Sequence, residues 1–484
     1  MTKYECERCG KEFSQKSHYN SHKNRKRPCE NNANKIKELV DKAVNERMSQ
    51  LNLSTGSSSS SVSESVSESD TGLKFIDLCC GIGGFHYAMK NMGHECVLAS
   101  DIDKNCRENY ELNHNIKPIG DFTKMDVKSI PQFDILCAGF PCQPFSKAGE
   151  QKGFEDKRGN LFFDICKIIQ HHKPKYLILE NVRNLSTHDK GNTWEVIKSK
   201  IDELHYYTYD TPIILNTLYF GVPQSRERVV ILCKRKDLGT LAILPPISNK
   251  NKRKTSLQDI VEEKVDQKYR ITNKLLVTEQ VWDRFLALCT EHNIQVPKFP
   301  IWTDWWDSDG DNTTVTKYDK NLSDAENKVN VAKRQKAFYQ KYKNWITKNR
   351  EFYETHRRIL QPWLVESRKK KLWCGAVRKM EWQTGGNESR TMKQVLWSPR
   401  GSGVRIKNVD YAPTLVAMAS MIPIYGPKSR FLTPRECARL QSFPESYILH
   451  KDDKISYSQF GNAVNVKMIE RSARFLINGE PLFG

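Results

Sequence analysis

The chain has 484 residues, 77 Lys plus Arg against 57 Asp plus Glu, and a formal charge of +20; its length suggests roughly two to four domains and its surplus an anionic partner, most often nucleic acid. No apolar run reaches the ~18 residues of a membrane span, and the start Met1-Thr2-Lys3-Tyr4-Glu5-Cys6 lacks the apolar core of a secretory signal. Fourteen cysteines are too sparse for a disulfide scaffold, so they are expected as reduced thiols, metal ligands or a nucleophile in an intracellular protein.

Residues 1–31 are expected to form a small metal module. Cys6 and Cys9 make a C-x2-C pair, and twelve residues separate Cys9 from His22. Phe13 and Tyr19 occupy the hydrophobic positions of a ββα zinc finger. No His lies three to five residues after His22, but Cys29 follows after six. The expected zinc ligands are therefore Cys6, Cys9, His22 and Cys29, with His18 as a substitute of shorter spacing. Lys23, Arg25, Lys26 and Arg27 suit phosphate, although a lone finger is small for specific DNA binding, and a protein contact stays open.

Residues 32–53 follow as an amphipathic helix, with Ile36, Leu39, Val40, Ala43, Val44 and Leu51 near a 3.6 period. A short exposed helix is the plain reading; a coiled-coil dimer is the alternative. Residues 54–72 are a Ser-rich linker that buries too little apolar surface to offset its ordering entropy.

From residue 73 the pattern becomes alternating β and α. Strand-like runs are Phe75 to Leu78, Cys96 to Ala99, Asp134 to Cys137, Tyr176 to Leu179 and Val229 to Leu232, with helix-like stretches such as Leu161 to Gln170 and Trp194 to Leu204 between them. This predicts an α/β domain, Rossmann-like, with a parallel sheet and helices on both faces. After the first strand comes Asp77-Leu78-Cys79-Cys80-Gly81-Ile82-Gly83-Gly84-Phe85, whose glycines suit close backbone approach to a ligand. Asp101 lies at the end of the second strand, where a carboxylate accepts from both ribose hydroxyls. Asp121 follows Gly120 at the expected end of a third strand, placed to accept from the exocyclic amine of an adenine. The plain reading of each Asp is a helix cap or turn.

Three more elements carry chemistry. Ala138-Gly139-Phe140-Pro141-Cys142-Gln143-Pro144-Phe145-Ser146 puts a cysteine between prolines in a loop at a strand's carboxyl end. Its thiol needs activation or a waiting electrophile to act as a nucleophile; an inert buried Cys is the alternative. Leu179-Glu180-Asn181-Val182 ends another strand, and burial there keeps a carboxyl group protonated for donation to a ring nitrogen. Gln224-Ser225-Arg226-Glu227-Arg228 projects two arginines from one face of an extended segment, suited to a carboxylate or a phosphate.

In this order the elements resemble the cytosine-C5 DNA methyltransferases of the modification type. The resemblance continues through Gly153-Phe154-Glu155-Asp156 and Arg158-Gly159-Asn160-Leu161-Phe162-Phe163, and returns at Arg430 to Leu440 and Gly461-Asn462-Ala463-Val464. It covers residues 73–484. It implies that Cys142 attacks C6 of a cytosine, that Glu180 protonates N3, and that C5 takes a methyl group from S-adenosyl-L-methionine. Arg226 would hold the cytosine and the Glu180 carboxylate, with Arg228 beside it. The implied cofactor site is Asp77, Gly81, Gly83, Gly84, Asp101, Ile102, Asp121, Leu161 and Asn462. The base must leave the duplex, and the loop from Phe145 to Arg158 would close over it. Cys79 stands where the family usually has Phe, and Ile102 where it often has Trp, which puts adenine packing in doubt.

The resemblance assigns residues 73–239 and 426–484 to the catalytic domain and 240–425 to a target-recognition domain. Residues 235–400 hold 33 Lys/Arg against 20 Asp/Glu and, from Trp282 to Trp397, nine of the ten tryptophans. Residues 324–361 read as one basic helix that Pro362 ends, its aromatic stripe of Phe338, Tyr342, Trp345 and Phe352 expected to pack on a neighbouring core. DNA contacts are expected from Gln143, Ser146, Arg405, Thr414 and Leu415. The expected partner is double-stranded DNA, bound by a monomer, with a cognate restriction endonuclease as a candidate companion. A finger on such an enzyme hints at a nuclear setting or an infected cell; otherwise a cytoplasmic one is expected. A tRNA cytosine methyltransferase and an inactive DNA-binding protein are the alternatives; the missing Cys-Phe-Thr tripeptide argues against the first, and Cys142, Glu180, Arg226 and Arg228 against the second.

Overall fold

The computed structural model describes residues 4–5, 12–13, 72–140, 161–306, 323–369, 378–384, 391–400 and 403–483. Cys6, Cys9, His22, Cys29, the helix expected over 32–53, all of the linker but Gly72, and the loop with Cys142, Gln143 and Ser146 lie outside the described residues. The chain divides into two units, residues 1–68 and 69–484. In the first, Tyr4–Glu5 pairs antiparallel with Glu12–Phe13.

In the second unit, β1 (Lys74–Leu78), β2 (Glu95–Ser100), β3 (Ile135–Gly139) and β4 (Tyr176–Val182) lie parallel in the order β2-β1-β3-β4. Their near-continuous apolar runs fit strands covered on both faces. Neighbouring residues alternate between two cores. Phe75, Ile135, Ile178 and Val230 face one; Ile76, Leu136, Leu177 and Val229 face the other. Helix α1 (Gly84–Lys90) packs on the first, and α3 (Leu161–His172) and α4 (Asn192–Glu203) on the second; α2 (Lys104–His114) follows β2.

The all-parallel expectation needs one correction. Beyond β4 the sheet continues through β5 (Tyr206–Tyr207), β6 (Ile213–Asn216) and β7 (Glu227–Arg235), and β7 runs antiparallel to β4, β5 and β6. Only residues 217–226 join β6 to β7, and a parallel crossover needs about a dozen or more. The reversal is tight, with Thr217 N–H donating to the Arg226 carbonyl. The strand expected before Asp121 is likewise reduced to a bridge between Ile119 and Ser100.

A second sheet has β8 (Ile301–Trp302), β9 (Lys379–Gln383), β10 (Leu396–Arg400), β11 (Gly403–Lys407), β12 (Ile424–Tyr425) and β13 (Arg430–Phe431), in the order β8-β9-β11-β10-β12-β13. Helices α5 (Asn273–Glu291) and α6 (Asp324–Lys369) share its core, which holds Trp282, Phe285, Trp306, Tyr353, Trp363 and Trp397. Most of the aromatic stripe of α6 packs as expected: Tyr342 meets Trp302 edge-on at 5.6 Å and Phe352 meets Trp306 at 6.0 Å, whereas Trp345 stays 39% exposed. Pro362 does not end α6, which continues to Lys369. The helix instead breaks its regular geometry at His356 (φ −116°, ψ 15°). A proline removes one bond of the ladder and its ring crowds the carbonyl four residues back, so the distortion falls in the preceding turns.

The chain then returns to the first sheet. α7 (Pro434–Leu440) begins in a reciprocal cap between Thr433 and Glu436, and the fully buried Glu436 also holds Arg430 at 2.6 Å. α8 (Asp453–Asn462) leads into α9 (Val466–Asn478), whose Ile469, Ala473 and Leu476 join the core of α1 and β3.

Candidate active site

The carboxyl ends of β1, β2, β3 and β4 meet around one cavity of about 450 Å³. The chain leaves β1 through a turn with Cys79, Gly81 and Gly83 at φ of 53°, 53° and 87°, a left-handed region that costs a side chain roughly 1–3 kcal/mol. Gly81 lines the cavity, and a Cβ there would meet nothing within 4 Å. Asp101, at the end of β2, accepts from the Gly81 N–H through Oδ2 and from the Asp103 N–H through Oδ1, both at 2.8 Å. Burial pushes its carboxyl up, and the two amide bonds oppose this. Each oxygen keeps a lone pair directed elsewhere.

Asp121 accepts from the Thr123 hydroxyl at 2.6 Å and its N–H at 3.1 Å, and sits 3.4 Å from Lys124. The hydroxyl bond first, then the amide and the lysine, hold its carboxyl below the usual range. Asp121 is thus a cap, as the plain reading had it, and also lines the cavity. Ile102, 79% exposed, and the buried Phe122 add apolar surface beside Cys79. Leu161 at the start of α3 and Asn462 at the end of α8 close this end.

At the other end stands Glu180. β3 and β4 set it beside Gly139, where a Cβ would lie 3.7 Å from Glu180 Oε2. Arg228 Nε holds Oε1 at 2.8 Å. Burial pushes the carboxyl up, more than the nearby Arg228 and Arg226 pull it down. The expectation that Arg226 holds this carboxylate is corrected. Its guanidinium donates to the carbonyls of Leu415 (3.2 Å), Gly461 (3.1 Å) and Ala463 (2.8 Å). Burial, then Arg228, lowers its pKa to about 9. Arg226 therefore fastens the returning chain to the site, although it also lines the cavity.

Other expected residues stand back. Asp77, Gly83 and Gly84 do not line the cavity. Asp77 is fully buried, and desolvation, then Asp101, pushes its pKa well up against the His86 N–H. Gly83 is required because a Cβ would come 2.1 Å from His114 Nε2, and Gly84 because one would come 2.6 Å from Val464. Both serve packing rather than ligand approach. Leu415 is core, Thr414 donates to the Ser225 carbonyl at 2.8 Å, and Arg405 pairs with Glu381 at 2.9 Å. Thr414 lines a neighbouring cavity of about 420 Å³ that shares Val182 and Arg228 with the first.

Sequence reasoning missed Asn181, whose Nδ2 donates to the Phe140 carbonyl at 2.8 Å. Phe140 lines the cavity two residues before Cys142, so Asn181 fixes the entry to that loop. A polar residue ending an otherwise apolar strand was the available signal. No group of three or more His, Cys, Asp or Glu among the described residues could hold a metal ion, and no described helix is long and apolar enough to cross a membrane.

The sequence matches the family model of C-5 cytosine-specific DNA methylases over residues 73–478. The chain is 34% identical over 401 residues to the Type II methyltransferase M.HhaI of Haemophilus parahaemolyticus, covering 83% of this chain and 93% of that one. With M.BanI of Aneurinibacillus aneurinilyticus the identity is 35% over 449 residues, 85% and 98% of the two chains. With M.SsoII of Shigella sonnei it is 42% over 412 residues, 84% and 80%.

Proposed function

The chain belongs to the C-5 cytosine-specific DNA methylases, and from that premise we propose how its residues divide the work of methylating cytosine in DNA. The observation that carries the proposal is the single cavity joining Gly81, Asp101 and Asp121 to Glu180 and Arg228. The first group suits S-adenosyl-L-methionine: a backbone cradle at Gly81, a carboxylate with spare lone pairs at Asp101, and apolar surface at Ile102 and Leu161. When bound, S-adenosyl-L-methionine supplies an electrophilic methyl group.

The second group holds the base, which must leave the duplex to enter so enclosed a site. Cys142 adds through its thiolate to C6. Glu180, whose carboxyl burial makes easier to protonate, gives a proton to N3 as electron density moves to C5. Arg228 orients the carboxyl through Oε1 and leaves Oε2 turned toward the base. Loss of the C5 proton to water after methylation lets the C6–sulfur bond break, frees Cys142 as its thiolate, and returns the N3 proton to Glu180. Asn181 positions the loop, and Arg226 holds the wall formed by Gly461 to Ala463.

The recognition role of residues 240–425 and the zinc finger belong to the same proposal. The hairpin of Tyr4–Glu5 with Glu12–Phe13 brackets Cys6 and Cys9, the arrangement a ββα finger needs for its first two ligands. Residues 1–72 lie outside the family match, which fits an added module. The kinship with Type II methyltransferases makes a restriction endonuclease a reasonable companion.

Bisulfite sequencing of DNA from cells expressing the protein tests the reading. Conversion-resistant cytosines at one short sequence are expected, and their loss with Cys142→Ser while S-adenosyl-L-methionine still binds. Resistance that persists in that variant would sink the assignment of the nucleophile.

A further inference from the structure

The 46-residue helix α6 carries a charge pattern that packing does not explain. From Asn327 to Arg350 it has eight Lys or Arg and no Asp or Glu. Exposed helices usually lace such charges with acidic partners three or four residues away. Here Lys336, Lys341, Lys343 and Lys348 are exposed and have no ion pair among the described residues. Concentrating like charge costs self-repulsion, so an anionic partner is the natural compensation.

The arrangement around the helix axis is more specific than the count. Phe338, Tyr342, Ile346 and Asn349 face inward, with Ile346 at 2% and Asn349 at 0% exposure. Lys336, Lys343 and Arg350 recur every seven residues along one flank; Arg334, Lys341 and Lys348 do so along the other. At 100° per residue the two rows stand about 160° apart, with members about 10.5 Å apart along the axis. Between them, on the side opposite the buried stripe, lie exposed Ala337, Gln340, Asn344 and Thr347, with Lys333 at the start of the strip. Neutral, mostly hydrogen-bonding side chains between two cationic rows match the cross-section of a DNA major groove, where base edges lie between two phosphate backbones. A helix about 10–12 Å across fits a groove about 12 Å wide.

We infer that the outward face of α6, over residues 333–350, docks on duplex DNA along a major groove, its two basic rows reaching the flanking phosphates. The inference rests on the reading of the chain as a DNA methylase and adds a second DNA surface separate from the catalytic cavity.

The test replaces Lys336, Lys341, Lys343 and Lys348 with Gln, a good helix former at exposed positions, with circular dichroism and melting to check the fold. A control carries Lys74→Gln, Lys90→Gln, Lys173→Gln and Lys200→Gln, at the end of the catalytic sheet away from its cavity, and loses the same charge. Binding to a duplex of about 30 base pairs is measured over a salt series. Each lost phosphate contact flattens the plot of log affinity against log salt by about 0.9, so the α6 variant is expected to flatten by about 3–4 and the control by much less. An unchanged slope, or an equal change in both, would overturn the inference. Absence of methylation by the unsubstituted protein would overturn the enzymatic reading instead, since the salt slope reports binding alone.

Discussion

Replacing Arg228 with Met isolates the pair on which the proposed chemistry turns. Arg228 Nε lies 2.8 Å from Glu180 Oε1, and the two side chains are 12% and 10% exposed. Removing one partner of so buried a pair leaves the other uncompensated, at about 3–5 kcal/mol. The cost depends on pH. Burial already holds the Glu180 carboxyl above its ordinary range, and losing Arg228 raises it further. Above that ordinary range the unfolded chain has released the proton while the folded chain retains it, so stability falls as pH rises. Arg228→Met should therefore cost little below the ordinary Glu range and progressively more above it. Each further unit of displacement adds about 1.4 kcal/mol. Urea unfolding at pH 5 and pH 8 measures this directly. Adding Glu180→Gln should remove the extra pH dependence, because no charge then needs a partner, yet activity should stay about 10²–10⁴-fold down without the proton donor. A loss equal at both pH values, unrelieved by Glu180→Gln, would refute the coupling.

Gly83→Ala should destabilise by about 1–3 kcal/mol from the backbone alone, with a further loss from a Cβ 2.1 Å from His114 Nε2; thermal melts should show His114→Ala relieving the clash but not the strain of φ 87°. Asp101→Asn should weaken S-adenosyl-L-methionine binding at least tenfold by calorimetry, since hydrogen bonds to a charged acceptor contribute about 1.5–3 kcal/mol; unchanged affinity would remove Asp101 from the site. A peptide of residues 1–31 should fold only with zinc, and a circular dichroism spectrum indifferent to a chelator would contradict the finger.

The parallel half of the sheet was legible because β1, β3 and β4 are short apolar runs bounded by Gly, Pro and polar residues, with helical periods between them. The reversal at β7 was not. Val229 to Leu232 reads the same in either direction, and what decides it is the ten-residue link through Thr217 to Arg226. Pro362 misled for a related reason. Its local preference ends helices, but Leu360, Trp363 and Leu364 are all buried in one core, and that packing carries α6 through the proline. At the site, Glu180, Asp101 and Gly81 could be read because each sits where a strand ends. The roles of Gly83 and Gly84 could not, since their reasons, His114 and Val464, lie 31 and 380 residues away in the chain.

The two arginines where the chain enters β7, Arg226 just before the strand and Arg228 within it, show the limit of spacing most plainly. Two residues apart on one face, Arg226 and Arg228 looked interchangeable as carboxylate ligands. Their carboxylate capacity is the same; their surroundings differ. Arg228 meets the Glu180 carboxyl. Arg226 spends its donors on carbonyls, and these come from both ends of the region that returns from the second sheet, Leu415 on one side and Gly461 and Ala463 on the other. A buried guanidinium is tolerable there because several of its donors are used, although its Nε is left unpartnered. Lys, with a single point of attachment, does not reproduce that fork. Arg226 thus makes the cavity wall depend on how the recognition region rejoins the catalytic sheet, while Arg228 works on the reacting base.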